Sequence, residues 1–482
     1  MDPQFIEPSE INPATYHRAA ASAACASAGE AGDPVVTDDD GIAAEEPPHP
    51  SPQDSYYDSE RREYLVKNWR GVWLPLTESQ FKRHLRSVGI STRTSEGETL
   101  SPADQLILHL QNTRDIQYAG RLCGKTEGFY EDGRTRFLVT DSFLLPEPRP
   151  GGWLNLKAIF DGLLGSDPQH MQTQLDVFHG WMQSSQFALR AARIQAAQAL
   201  AVAGPASCGK SLIQSLITVC LGGRAAKPHR YMTGGTDFNG DLFEAEHLIL
   251  EDEFMSPRIS DRLMLGSALK NVCVSSRAQS CHRKNRQAIT LPAWWRVSIS
   301  LNDDPEAMLV LPPLDEHIAD KLILLKASAF PFPMPMDTAE AQDQFMEICK
   351  AEVPAYLHWL LHEFVIPPHL AEPRRYGILS WHHPDIAYTL NSLSPEADLL
   401  ALIDEVLWES GDSEWRGTTE ELQRLLLGDT KVERQARKLL EWRNACGTYL
   451  GRLSTKPNPR VKPDRTATRR EYIIKAPQKN SQ

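Results

Sequence analysis

The eight residues from Gly204 to Ser211 read GPASCGKS. They fit the spacing G-x-x-x-x-G-K-[ST], which cradles nucleotide phosphates. Gly204 and Gly209 let the backbone curl around Pro205, Ala206, Ser207 and Cys208, so that successive N–H groups point at one anion. Lys210 supplies a charge for the β- and γ-phosphates, and Ser211 a hydroxyl for Mg²⁺. About forty residues later, Glu246 to Leu250 is an apolar run that ends in Glu251-Asp252-Glu253. A buried strand delivering carboxylates to its C-terminal edge is what such a loop needs beside it. One carboxylate can complete the Mg²⁺ shell with Ser211, and another can orient or deprotonate the attacking water. A third polar group, Asn302, closes the apolar stretch Arg296 to Leu301. An amide there can hold that water or sense a γ-phosphate, although Asn also favours turns for its own sake.

Each of these groups needs an element to position it. Ala196 to Ala203 is a small-residue apolar run and predicts a buried strand. Lys210 to Leu221 is apolar at helical spacing, and Gly222-Gly223 stops it. Strand, glycine-bearing loop and helix is the order the phosphate motif requires. His229 to Leu242 reads as a loop, and Ser260 to Val272 as a helix. The stretch from Ser275 to Trp295 contains no acid and carries Arg277, His282, Arg283, Lys284 and Arg286 around a predicted turn. Cations on a loop tip suit a phosphate backbone, and equally suit a solvated turn.

The chain has 482 residues, 41% hydrophobic and 24% charged, which indicates a soluble multidomain protein. The sequence shows neither a membrane-length apolar run nor a secretory signal pattern, so the expectation is a cytoplasmic protein with no membrane partner. Eight scattered cysteines without C-x-x-C point to reduced thiols rather than disulfides or zinc. Cys208 reads as a small filler in the loop, with an oxidation-sensitive thiol as the alternative. The net charge is −12, and residues 1–60 alone hold thirteen acids against one Arg. The remainder is neutral and free to segregate charge by face.

Composition and patterning divide the chain into six parts. Residues 1–60 are an acidic, disordered tail. Residues 61–152 are a small α+β domain with a basic helix from Glu78 to Val88 (Lys82, Arg83, Arg86), a helix starting at Ser101, and a turn at Glu131-Asp132-Gly133. Residues 153–197 are a lead-in bundle of three helices. Residues 198–335 are the nucleotide core and 336–410 a helical region. There, His382-His383-Pro384 hints at a metal but lacks a third ligand at suitable spacing. Residues 411–482 are three helices and a basic strand-turn-strand, the pattern of a winged helix, with nine Lys/Arg against two acids from Arg452 to Lys479. The fold class is α/β, with flanking helical and α+β parts.

In order and spacing, GPASCGKS, HLILEDE, the hairpin with Lys284 and SISLNDDP resemble a superfamily-3 helicase, and more closely the primase-helicases of phages and plasmids. The likeness is strongest over about 110 residues and weaker over roughly 150–475. It implies an AAA+ P-loop ATPase that binds ATP and Mg²⁺ and forms a ring, usually a hexamer, around DNA. Lys210, Ser211, Asp252 and Glu253 would be the Walker residues, with Glu251 adjacent. Asn302 would be the sensor, and His282 and Lys284 would ride a DNA-gripping hairpin. Two departures stand out. No Arg lies between Arg296 and Arg374, and Lys321 occupies the place where the family carries an arginine finger. Either Lys321 substitutes, or Arg262, Arg374 or Arg375 reaches the neighbouring site; Lys lacks the planar fork of Arg. Residues 1–197 also show no convincing pair of catalytic acids for primer synthesis, so a separate primase or replication partner is implied. The expectation is a DNA helicase or translocase for replication of a mobile element. The alternative is a DNA- or partner-sensing ATPase switch, in defence or recombination, that does not unwind. A P-loop kinase would explain neither the basic hairpin nor the C-terminal pattern.

Overall fold

The computed structural model describes residues 54–251, 259–274, 278–408, 413–455, 459–465 and 469–477. The first strand, β1 (Tyr56–Asp58), pairs antiparallel with β2 (Glu63–Lys67), which pairs with β3 (Trp73–Leu76). The acidic stretch 1–60 is therefore corrected at its C-terminal end: Tyr56 and Tyr57 supply strand-forming aromatics, and Asp58 is buried in the fold. Helix α1 (Glu78–Ser87) starts where Gln80 accepts a hydrogen bond from the Thr77 amide. Helix α2 (Pro102–Thr113) starts at Ser101, whose hydroxyl accepts from the Asp104 amide at 3.2 Å, with Pro at the first helical position. Strand β4 (Asp115–Ile116) joins β1 in parallel. Strands β5 (Tyr118–Gly120), β6 (Gly128–Asp132) and β7 (Thr135–Val139) form a second sheet in the order β5-β7-β6, with Gly133 left-handed at the hairpin turn. Tyr64 stacks on Phe81 at 4.5 Å within this domain's own core.

The lead-in contains two helices, α3 (Leu154–Leu164) and α4 (Met171–Arg190), rather than three. After Arg190 the chain turns through Ala192, which has positive φ, and runs without helix to the next strand. Glu352, from the helical region, caps the start of α3 by accepting from the amides of Asn155 and Leu156.

The nucleotide-loop strand β8 (Ala199–Ala203) is buried along its whole length, as the run of small apolar residues requires. Helix α5 (Lys210–Cys220) follows, then β9 (Ala225–Ala226). The stretch read as a loop contains a short helix, α6 (His229–Met232), and a 3₁₀ turn (Gly240–Glu244). After it come β10 (His247–Glu251), α7 (Ile259–Val274), the hairpin strands β11 (Gln279–Cys281) and β12 (Ile289–Leu291), β13 (Arg296–Leu301), the short α8 (Pro305–Met308) and β14 (Leu322–Lys326). Five of these strands form one parallel sheet in the order β14-β8-β13-β10-β9. In the sheet β13 therefore separates β8 from β10, and the Asn302 strand, not the carboxylate strand, lies directly beside β8.

Helix α9 (Ala339–His362), strands β15 (Ala371–Glu372) and β16 (Gly377–Ile378), and helices α10 (Pro384–Ser392) and α11 (Pro395–Leu407) follow. The last part pairs β17 (Glu414–Gly417) with β19 (Arg470–Lys475), and β19 with β18 (Val461–Arg465). Helices α12 (Thr419–Gly428), α13 (Glu433–Leu439) and α14 (Ala445–Ser454) pack on that sheet. Among the described residues no helix is long and apolar enough to cross a membrane.

Candidate functional site

Parallel pairing aligns the C-terminal ends of the central strands. Leu301 is level with Ala203, and Ser300 with both Val202 and Glu251. The phosphate loop, Asn302 and Glu251 thus emerge at one edge of the sheet, where open α/β sheets bind ligands.

The loop's geometry follows from its residue types. Gly204 lies against the neighbouring strand end: a Cβ there would sit 2.5 Å from the Ala327 carbonyl oxygen. Ser207 has φ 59° and Gly209 has φ 108°, so the turn is left-handed at both positions, with strain at the serine. Helix α5 begins at Lys210, and its first N–H groups, which lack intrahelical acceptors, form a positive end at the loop. An anion the size of a phosphate fits such an end.

Lys210 is only 9% exposed. Its ammonium donates to the carbonyls of Gly204 at 2.8 Å and Pro205 at 2.7 Å, and to Asn302 Oδ1 at 3.0 Å. All three of its protons have oxygen partners, one of them from the adjacent strand. Ser211 is exposed at the loop's rim. Glu251 accepts from Lys227 at 2.5 Å, which neutralises a carboxylate at the end of β10. Asp252 and Glu253 lie outside the described residues. Burial pushes the Cys208 thiol up, which favours the filler reading. Cys123, Cys208, Cys220, Cys281, Cys349 and Cys446 are free thiols.

A buried polar network beneath the loop was not legible in the sequence. Gln214, on α5, donates to Ser298 Oγ on β13 at 3.0 Å. Ser298 Oγ is 2.8 Å from His247 Nε2 on β10, and His247 Nδ1 is 2.7 Å from Thr218 Oγ1, again on α5. The Thr218 hydroxyl donates to Gln214 O, so it accepts from Nδ1–H; Nε2 is then the acceptor of the Ser298 proton. Burial holds His247 down to about 3, so it is neutral there. A second buried pair, Arg224 with Glu246 at 2.5 Å, ties the start of β10 to the N-terminal domain, because Glu246 also accepts from the Gly124 amide.

The basic stretch is a hairpin, β11 paired antiparallel with β12. Asn239 holds its first strand where that strand enters the turn: Oδ1 accepts from the His282 amide at 2.7 Å, Nδ2 donates to Ser280 O at 3.0 Å, and the Asn239 amide donates to His282 O. His282 and Lys284 are exposed at the tip. Arg283 and Arg286 instead turn onto the N-terminal domain. Arg277 lies outside the described residues.

The trans-acting candidates separate clearly. Lys321 precedes β14, level with the start of β8, and so lies about 16 Å of strand away from its own phosphate loop. It pairs with Asp320 at 2.5 Å, and Arg375 Nη1 lies 3.6 Å from the same carboxyl group. Arg374 and Arg375 are exposed. Arg262 is buried and spent on the carbonyls of Leu311 and Leu393, so it reaches no neighbour. His382 Nε2 lies 2.9 Å from Leu322 O, and His383 caps α10 and contacts Asp167 at 3.1 Å. Among the described residues no group of three potential metal ligands occurs. Between Glu316 and the C-terminal part, a polar cleft of about 940 Å³ is lined by Glu316, Thr419, Glu420, Arg443 and Arg470, among others.

No family model matches the chain, and no curated protein matches it. Solved structures do. The apo structure of the NrS-1 C-terminal region (305-718) is similar over 88% of this chain and 96% of that chain, at 11% identity and a TM-score of 0.50. The SCCmec type IV Cch active helicase matches 84% of this chain and 70% of that chain, at 12% identity and a TM-score of 0.30. A structure of JCV helicase with a bound thiazolopyridinyl phenoxyphenyl acetamide matches 51% of this chain and 67% of that chain, at 10% identity and a TM-score of 0.24. The first likeness is one of fold, a mixed α/β chain with a five-stranded parallel sheet.

Proposed function

We propose that this chain is an ATP-dependent DNA helicase or translocase with an AAA+ core of the superfamily-3 type. The observation that carries the reading is the hydrogen bond from Lys210 to Asn302, made across adjacent strands at the edge where the phosphate loop opens. A kinase-like use of the same loop explains neither that amide nor the basic hairpin, which follows the carboxylate strand β10 and precedes the Asn302 strand β13 along the chain.

On this reading Lys210 exchanges its carbonyl partners for β- and γ-phosphate oxygens, and Asn302 keeps hold of the ammonium or of the attacking water. Ser211, Glu251 and Asp252 are the residues that would hold Mg²⁺, whose contribution is to neutralise charge on the phosphate oxygens, and Glu253 is the carboxylate to orient or deprotonate the attacking water. Lys321, Arg374 and Arg375 sit far from their own loop, as a group serving a neighbouring subunit must, so assembly into a ring, a hexamer by family likeness, completes the site. The hairpin offers Lys284 and His282 to a DNA backbone. The C-terminal cleft and its arginines, on a winged-helix-like arrangement, provide a second contact. Neither implies base reading. Replication of a phage or plasmid, with a separate primase as partner, is the setting that the family likeness suggests.

The test separates fuel from grip. Lys210→Ala abolishes ATP hydrolysis and unwinding of a forked substrate, whereas Lys284→Ala keeps basal hydrolysis and loses unwinding. Unwinding retained in both variants refutes the motor. Hydrolysis stimulated by DNA without strand separation in the parent chain assigns it instead to the sensing switches.

A further inference from the structure

The N-terminal domain holds two of the hairpin's cations. Arg283 passes over Gly240, where a Cβ would come within 2.7 Å of its Cγ, and stacks on the Tyr118 ring at 4.7 Å. Its guanidinium donates to Gln117 O at 3.1 Å and lies 3.4 Å from Glu60 Oε2. Arg286 reaches the same Glu60 oxygen at 3.4 Å and lies 3.9 Å from Asp58 Oδ2. Asp58 is fixed in turn, because its Oδ1 accepts the amides of Glu60 and Arg61. The arginine side chains are 14% and 19% exposed and that of Glu60 22%, so the cluster is half-shielded from water and from salt.

We propose that Asp58 and Glu60 form an electrostatic latch on the hairpin, and that a single-stranded nucleic-acid backbone opens it by competing for Arg283 and Arg286. The inference rests on the reading of the hairpin as a nucleic-acid grip and gives the N-terminal domain a role in it. Asn239 holds the backbone of Ser280 and His282 independently of the latch, so release of Arg283 and Arg286 leaves the first hairpin strand in place. Latched, the hairpin presents Lys284 and His282 alone. Unlatched, it presents two more cations, each with a planar fork that matches phosphate. The carboxylates and phosphates are chemically equivalent partners for these forks, so the exchange needs no new contact in the core.

The full-length chain carrying Glu60→Gln, nearly isosteric and on a partly exposed side chain, tests this. The probe is a fluorescein-labelled oligodeoxythymidylate titrated at several salt concentrations. The latch predicts tighter binding by Glu60→Gln, and tighter still by Glu60→Lys. At the limit where both arginines are freed, the slope of log affinity against log salt steepens by about 1.4, since each added single-strand phosphate contact contributes about 0.7. Parent-level affinity and slope in both variants, with the parent binding normally, overturn the latch and leave the grip intact. No binding by parent or variants overturns the grip, and the latch with it. Amide hydrogen exchange across 283–288 is the companion readout: faster exchange in Glu60→Gln supports release of the tip, and unchanged exchange opposes it.

Discussion

The buried histidine under the phosphate loop makes stability depend on pH with a calculable slope. His247 bridges α5 and β13 as a neutral ring, accepting from Ser298 through Nε2. A proton on Nε2 would face that hydroxyl donor-to-donor in a site closed to water. His179 is the second such group: Nδ1 lies 3.0 Å from the Tyr356 hydroxyl, and burial holds it too down to about 3. Both take a proton near 6.5 in the unfolded chain. The folded-state values are depressed, so below pH 6.5 the unfolded chain binds more protons and stability falls as pH falls, down to about pH 3. Each ring contributes a slope of about 1.4 kcal/mol per pH unit in that window, which is about 2 kcal/mol between pH 7 and pH 5 and about 4 kcal/mol for the two. That is a large share of the ~5–15 kcal/mol that holds a domain together. Denaturant unfolding of the parent and of His247→Gln at pH 7 and pH 5 isolates one ring. The parent is expected to lose about 2 kcal/mol more than the variant on acidification. Equal losses would mean that His247 is already protonated, or reaches water, in the fold.

Two further predictions probe the same edge of the sheet. Asn302→Ala removes one of three ammonium partners and leaves the loop's carbonyls in place. It should fold normally and lower the turnover number for ATP hydrolysis by about 10²-fold, the scale of losing one preorganised polar group, with a smaller change in nucleotide affinity by fluorescence titration. Glu246→Ala strands Arg224 and the Gly124 amide in a buried setting and should cost about 3–5 kcal/mol, read from the denaturant midpoint.

The phosphate loop was legible because its chemistry is local: eight consecutive residues specify the turn, the helix start and the cation. Strand β13 and the hairpin were legible for the same reason, through a continuous apolar run and a continuous acid-free run. What the sequence concealed were relations between distant residues. Nothing near Gln214, Thr218, His247 or Ser298 marks them as one network, because each is an ordinary polar residue on an otherwise apolar element; only the parallel register brings them together. Asn239 sits in a Gly- and Asp-rich stretch that reads as a plain loop, and its grip on the hairpin spans more than forty residues. Charge counting also missed that Arg283 and Arg286 face Asp58 and Glu60, since those acids fell within a stretch dominated by tail-like composition. Lys321 and Arg375 share Asp320 although 54 positions apart, so their grouping too emerges only in three dimensions.

One hydrophobic core runs from Tyr118 through the lead-in helices and the parallel sheet to Leu390. A separate core begins at Leu399 and ends at Ile474. The boundaries drawn along the chain are thus unequal as places to divide the polypeptide. Cutting at 197 would strip α3 and α4 from a sheet face that they cover and would expose Ile159, Phe178 and Trp181 to water. Cutting near Ser394 would pass between two interiors, crossing few apolar contacts. Such a seam lets the C-terminal part be exchanged or recombined as a cassette, while the N-terminal helices have to be inherited together with the parallel sheet they share a core with.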